Sequence, residues 1–324
     1  MSQRRDFLKK SAAIVAGGML LPQWNAQAEF QKSNALKKLG VGLFSVPRDL
    51  EKDFPGTLKK IAQIGFKEIE FYGPYPFSPA EEKERWASVT PSLGFSGSAF
   101  YGKSAKEARK ILDDNGLTAP SIHCGLPTLK QSMGPLAEAA NLIGAKYVIL
   151  PSAQTQPNLD GYKAQADEFN EIGTQANKYG IRFAYHNHGN GLKPLDGTIP
   201  FDLIMERTDP KKVFFQMDIY WVAAAGVNIP ALLDKYAGRF KSMHVKDMAK
   251  EVRFSGDGGD PGQWMELFPH LANAGSGVMD LKSILSHAVK SGVEHFVVER
   301  DIAPNSTEDL KKSYVYLTGL ELEK

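Results

Sequence analysis

Short runs rich in β-branched and aromatic residues recur along the chain. Most are followed by a stretch whose apolar positions return every three or four residues. The runs predict strands at 39–46, 67–72, 118–124, 146–151, 181–187, 213–218, 240–245 and 295–299. The amphipathic stretches predict helices at 56–64, 105–114, 135–143, 162–178, 229–236 and 281–290. Gly65, Gly116, Gly144, Gly180 and Gly292 each fall between a helix end and the next strand, where a left-handed cap residue is wanted. Eight such strand–helix units predict a single-domain α/β fold, a closed (β/α)8 TIM barrel, more than an open doubly wound sheet. Residues 249–278, with six glycines, are the least regular stretch; they follow the seventh strand and are expected to form a long loop at the barrel mouth.

The first residues break this pattern and read as an address. Arg4-Arg5 precedes an apolar run from Ala12 to Leu21, and Ala26-Gln27-Ala28 supplies a small-x-small cleavage pattern. Residues 1–28 are therefore expected to be a twin-arginine signal, with residues 29–324 forming the barrel and the mature protein periplasmic or secreted. The apolar run is too short to span a bilayer, so no stable membrane insertion is expected after signal removal.

Composition narrows the partners. The chain carries 39 basic and 37 acidic side chains, and residues 1–28 hold four of the basic and one of the acidic, which leaves −1 for the remainder. That balance gives no electrostatic case for nucleic acid. Cys124 is the only cysteine, so no intrachain disulfide supports the fold. Gly40-Val41-Gly42 lacks a third glycine and leads into Leu43-Phe44 rather than a helix, against a dinucleotide site.

In a (β/α)8 barrel the chemistry gathers at the C-terminal strand ends. Those ends carry Glu70, His123, His186, His188, Asp218, His244, Lys246, Glu299 and Asp301, and they hold four of the seven histidines. Alternate strand residues share a face, which pairs His186 with His188, Gln216 with Asp218, His244 with Lys246, and Glu299 with Asp301. His186, Asp218, His244 and Glu299 together make a mixed N/O donor set that suits Mn, Co, Zn or Fe better than Ca. The competing reading is a satisfied hydrogen-bond network without metal.

The segments Tyr185-His186-Asn187-His188-Gly189, Gln216-Met217-Asp218-Ile219-Tyr220-Trp221, His244-Val245-Lys246-Asp247 and Val298-Glu299-Arg300-Asp301 lie in order on the predicted strands. They resemble the xylose isomerase-like barrel superfamily, and most of all its sugar phosphate isomerase/epimerase-like branch, over about residues 37–321. The resemblance implies a divalent metal on Asp218, His244 and Glu299. On the fifth strand many members carry Glu where this chain has His186; His186 keeps the ligand role or yields it to His188. Ketose 3-epimerases of the superfamily work with two glutamates on opposite faces of the substrate carbon, and this substitution removes one of them.

The mechanism so implied is proton abstraction next to a carbonyl, with the metal stabilising an enediolate. Glu299, His123 or His188 would take the proton. Lys246 would stabilise the oxyanion or grip a hydroxyl, or else pair with Asp247 or Glu299. Glu70 is expected to bind sugar hydroxyls or to sit in a buried ion pair. Trp221 is expected to stack on a sugar ring or to belong to the core. Cys124, adjacent to His123 and so facing the other way, is expected to be buried packing. An isomerase or epimerase acting on a small sugar leads. A lyase or hydrolase cleaving keto-glycosides by the same first step is the alternative, and a non-enzymatic sugar-binding protein stands behind both. Assembly is left open, a homo-oligomer included.

Overall fold

The computed structural model describes residues 35–322; the segment read as an export signal, 1–28, lies outside them. Eight parallel strands close into a barrel: β1 (Gly40–Gly42), β2 (Glu68–Tyr72), β3 (Thr118–His123), β4 (Tyr147–Leu150), β5 (Arg182–His186), β6 (Val213–Asp218), β7 (Phe240–Val245) and β8 (His295–Val298). Each neighbours the next in the chain, and β8 returns to β1 through Gly40 opposite Val297. The helices between them are α1 (Phe54–Ile64), α2 (Ala80–Leu93), α3 (Ala105–Asp114), α4 (Met133–Ile143), α5 (Leu159–Lys178), α6 (Pro200–Arg207), α7 (Ile229–Lys235), α8 (Leu281–Lys290) and α9 (Ser306–Thr318). No helix among the described residues is long and apolar enough to cross a membrane.

The predicted strands agree with these to within two residues at each end, except the first. There the chain leaves the sheet after Gly42, turns through Leu43–Ser45 and enters a short helix at Pro47–Lys52. Pro47 starts that helix without loss, because the first turn needs no amide donor. Gly42 cannot carry a side chain: a Cβ there would collide with Oε1 of Glu299.

The barrel is filled in layers. Tyr147, Ile149, Ala184 and Phe214 form an apolar floor. Above it, Glu70, Ser121, Gln216 and Ser242 are all buried and hydrogen-bonded to one another, as polar groups at that depth must be. Outside, the strands are sealed to the helices by Phe66, Phe71, Phe169, Phe183, Phe201, Phe215 and Phe240, each almost wholly buried.

Residues 249–278 are more ordered than the glycine count suggests. Asp247–Met248 pairs antiparallel with Leu271–Ala272, and a helix runs over Pro261–Leu267. Asp247, next to the strand end, explains how the segment is held. Its Oδ1 accepts from the amides of Met248 (2.7 Å) and Met279 (3.2 Å), and its Oδ2 from those of Gly275 (2.9 Å) and Gly277 (3.0 Å). The pairing of Lys246 with Asp247 weighed from sequence therefore does not form. Asp247→Ala would leave four amides without their acceptor. We expect a loss on the order of 3 kcal/mol or more, read by denaturant unfolding, with metal content unchanged.

Candidate metal centre and cavity

Register brings the strand-end residues together. Asp218 lies opposite His244, and His186 opposite Gln216. A register shift between β6 and β7 at Phe215/Gln216 sets the level at which the first pair meets. Asp218 Oδ2 then lies 3.6 Å from His186 Nε2 and 3.9 Å from His244 Nδ1, and His244 Nδ1 lies 2.9 Å from Glu299 Oε2. The donor atoms of Asp218, His244 and Glu299 all fall within 4.8 Å of one another, and a second group of the same kind joins His123, His186 and His244.

Two features fit the group of Asp218, His244 and Glu299, with His186 beside Asp218, to a cation; these four make up a quartet. Although Asp218 Oδ2 and His244 Nδ1 have charged neighbours close by, neither has a hydrogen bond of proper geometry among the described residues. Both are buried polar atoms, and both belong to residues of the Asp218, His244 and Glu299 group. In addition, each imidazole spends its other nitrogen on the protein: His186 Nδ1 is 2.8 Å from Gln216 Oε1, and His244 Nε2 is 2.5 Å from Glu70 Oε1. Such outer partners fix the tautomer that leaves a lone pair facing a metal.

Gln216 is the hub that sequence reading placed beside Asp218 without a role. Its Oε1 also faces His123 Nε2 at 2.7 Å, and its amide donates to Glu70 Oε2 (2.8 Å) and Ser242 Oγ (2.9 Å). Both carboxylate oxygens of Glu70 are engaged as well. Its Oε1 is shared by His123 and His244 and its Oε2 by Ser121 and Gln216, which is the buried-pair arrangement weighed for it from sequence and holds the imidazoles in place.

Lys246 is buried with its ammonium 3.0 Å from Asp218 Oδ2, 2.9 Å from Glu299 Oε2 and 2.6 Å from Asp301 Oδ2. The electrostatics follow from this packing. Burial alone would raise Glu70 and Glu299, but the imidazoles, with Lys246 beside Glu299, hold both below the usual carboxylate range. Asp218 is raised by burial, in part offset by Lys246 and His244. Burial opposes charge on His244, yet Glu299 and Glu70 push it up to about 10. His186 and His188 are lowered by burial and by neighbouring cations, and stand neutral.

A cavity of about 760 Å³ opens above the centre, within the range of about 300–1,000 Å³ that encloses drug-sized ligands. Glu70, His123, His186, His188, Trp221, His244 and Glu299 all line it; Asp218 and Lys246 lie just behind that wall, at most 1% exposed. His188 stands against Trp264 (ring centroids 4.3 Å) and edge-on to Trp221 (5.6 Å), and its Nδ1 has no partner among the described residues. Trp221 packs on Phe254 and Tyr220 in an apolar cluster, as a core residue does, and also lines the cavity. Its Nε1, and Oε1 of the cavity-lining Gln165, are buried without partners among the described residues, the condition of groups that a ligand completes. Cys124 is buried and unpaired, as expected.

The model of xylose isomerase-like TIM barrels matches residues 58–317. An inosose dehydratase of Salmonella agona is 26% identical over 206 residues, 62% of this chain and 65% of the relative. The chain thus spans less than two thirds of the length of the first curated relatives it matches. Among solved structures, a sugar phosphate isomerase/epimerase from Parabacteroides distasonis is 25% identical with a TM-score of 0.65, covering 87% of this chain and 93% of that one. The IOLI protein, solved with a bound zinc atom, shares the fold at 15% identity and a TM-score of 0.61, over 87% of this chain and 98% of its own. The match extends from α1 into α9, over the strands that carry the donor quartet, and on that ground this chain belongs to the xylose isomerase-like TIM barrel family.

Proposed function

We propose that this protein is a metal-dependent lyase. It removes the proton beside the ketone of an oxidised sugar or cyclic polyol, then expels the substituent one carbon further on. The observation that carries this reading is the quartet His186 Nε2, Asp218 Oδ2, His244 Nδ1 and Glu299 Oε2, with its two imidazoles each tied back by Gln216 and Glu70. His186, not His188, is the ligand on β5. The donor set suits Mn, Co, Zn or Fe, and the zinc of the IOLI protein is consistent with it. When bound there, the cation supplies Lewis acidity toward a ketone and its neighbouring hydroxyl.

The chain's own groups then divide the work. Glu299 is held by His244 and Lys246, Glu70 by four donors, and His123 Nε2 by Gln216 and Glu70. His188 lines the cavity, its buried Nδ1 has no partner among the described residues, and it serves as the base. The C–H electrons form the new double bond as the leaving oxygen departs, and the imidazolium returns its proton to that oxygen. One acid/base group on one face suffices for elimination, whereas epimerisation needs two on opposite faces. The dehydratase name of the curated relatives supports the same class. The name of the Parabacteroides structure favours the second reading, an isomerase or epimerase.

The test is to incubate metal-loaded protein in D2O with a keto-glycoside, a keto-inositol and a free ketose, and to follow products by NMR. Release of the β-substituent supports the lyase. Epimer or aldose formation with retention of every substituent transfers the site to the second reading. No product and no exchange of any α-proton with Mn, Co, Zn or Fe present would sink both. Export rests on Arg4-Arg5 and Ala26-Gln27-Ala28, and a periplasmic form beginning at Glu29, read by N-terminal sequencing, is the expected outcome.

A further inference from the structure

Helix α2 is anomalous: none of its fourteen residues is buried, although it carries Trp86, Val89 and Leu93. A helix with no face in the core needs another partner for its apolar residues. Trp86 packs on Tyr72 and, at 6.0 Å between ring centroids, on Phe95; the other attachments are polar. Glu82 accepts from the amides of Gly125 (3.1 Å) and Thr128 (3.1 Å), and Trp86 Nε1 donates to the carbonyl of Ser96 at 2.8 Å. The residues it turns to the cavity are Glu81, Glu82, Arg85, Trp86 and Val89, spaced to form one stripe along the helix. Beneath them, Tyr72 of β2 meets Trp86 (5.9 Å) and Phe44, just beyond β1 (5.2 Å).

The cavity thus has two aromatic walls. Trp221 and Trp264, with His188, stand on the β5–β6 side beside the quartet; Trp86, Tyr72 and Phe44 stand on the β1–β2 side. In a ring of eight strands, β1 lies opposite β5 and β2 opposite β6. A monosaccharide held at the quartet would fill one side and leave the other to water. Aromatic faces are the surfaces on which the apolar face of a sugar ring or an aryl group packs.

We propose that the wall of Phe44, Tyr72 and Trp86 is a leaving-group subsite, which selects glycosides with a second ring over free keto-monosaccharides, and that Trp86 sets this preference. This rests on the lyase reading for the identity of the expelled group, but the binding it implies is independent of turnover. The experiment is calorimetric titration of the full chain, metal-loaded, with a non-oxidised disaccharide, an aryl glucoside and glucose, for wild type, Trp86→Ala and Trp86→Phe. Wild type is expected to prefer the two-ring ligands at least tenfold over glucose. That ratio should fall about tenfold in Trp86→Ala and largely return in Trp86→Phe, which restores a ring face but not the hydrogen bond to Ser96.

Equal affinity of wild type for one-ring and two-ring ligands, or binding of none, overturns the proposal, as does an unchanged ratio in Trp86→Ala. Loss in both variants alike would make Trp86 a tether of α2 and also overturn it. If the preference is found but no ketone turns over, the subsite stands and the lyase reading falls.

Discussion

Asp218→Ala is expected to take bound divalent metal from about one ion per chain to none, and turnover with it. Asp218 Oδ2 is the atom from which the distances to His186, His244 and Lys246 are all 3.9 Å or less, so its removal opens the quartet at its centre. Loss of an outer partner of a ligand typically weakens metal affinity about 10–100-fold; loss of a buried ligand carboxylate should exceed that. The same side chain has a second task, because Oδ1 accepts from the amides of Tyr220 (3.0 Å) and Trp221 (3.3 Å) at the start of the helix Ile219–Ala224. Alanine also forfeits that cap, worth about 1 kcal/mol. Asp218→Asn retains a capping oxygen while removing the charge, and separates the two effects. Elemental analysis of wild type and both variants, after metal loading and desalting, reads the outcome. Full metal occupancy in Asp218→Asn and Asp218→Ala would show that the quartet is not the centre.

His188→Ala is expected to lower kcat by about 10²–10⁴-fold, the usual share of a positioned proton-transfer group, while metal content stays at the wild-type level. The expectation follows from what the other groups are doing. Among the strand-end histidines, His123, His186 and His244 each have a ring nitrogen committed to Gln216 or Glu70, whereas the ring of His188 lies against Trp264, Trp221 and His186 and its Nδ1 has no partner among the described residues. Added imidazole should restore part of the rate in the cavity left by alanine, and α-proton exchange into D2O should fall in parallel with turnover. A rate within tenfold of wild type would return the base to Glu299. Loss of metal in His188→Ala would make His188 a ligand after all.

Much of the barrel was legible because its signals are local. β-branched runs, three- and four-residue periodicity and capping glycines are written within windows of ten to twenty residues. All six helices expected from periodicity coincide with observed ones. Helix α2 was not legible, since no apolar stripe of it is buried and Pro91 lies within it; Trp86 packs on Tyr72 and Phe95 and one stripe of the helix lines the cavity, which no local pattern encodes. Nor was the order within residues 249–278. The anchor there is Asp247, reaching amides about thirty positions further along the chain.

Of the site, the sequence alone determined that His123, His186, His188, Asp218, His244 and Glu299 would sit at strand ends, because a strand alternates its faces and a barrel collects its strand ends at one mouth. It left the roles of His186 and His188 interchangeable, since residues two apart on a strand point the same way. Only the tertiary structure decided between the geometries they offer. Gln216 and Glu70, 146 positions apart in the chain, orient His186 and His244, while His188 Nδ1, in a ring set against two tryptophans, has no partner among the described residues. One of those tryptophans, Trp264, comes from the helix Pro261–Leu267. Those are long-range contacts, set by how the strands register and how the loop folds back, and a linear pattern carries no record of either.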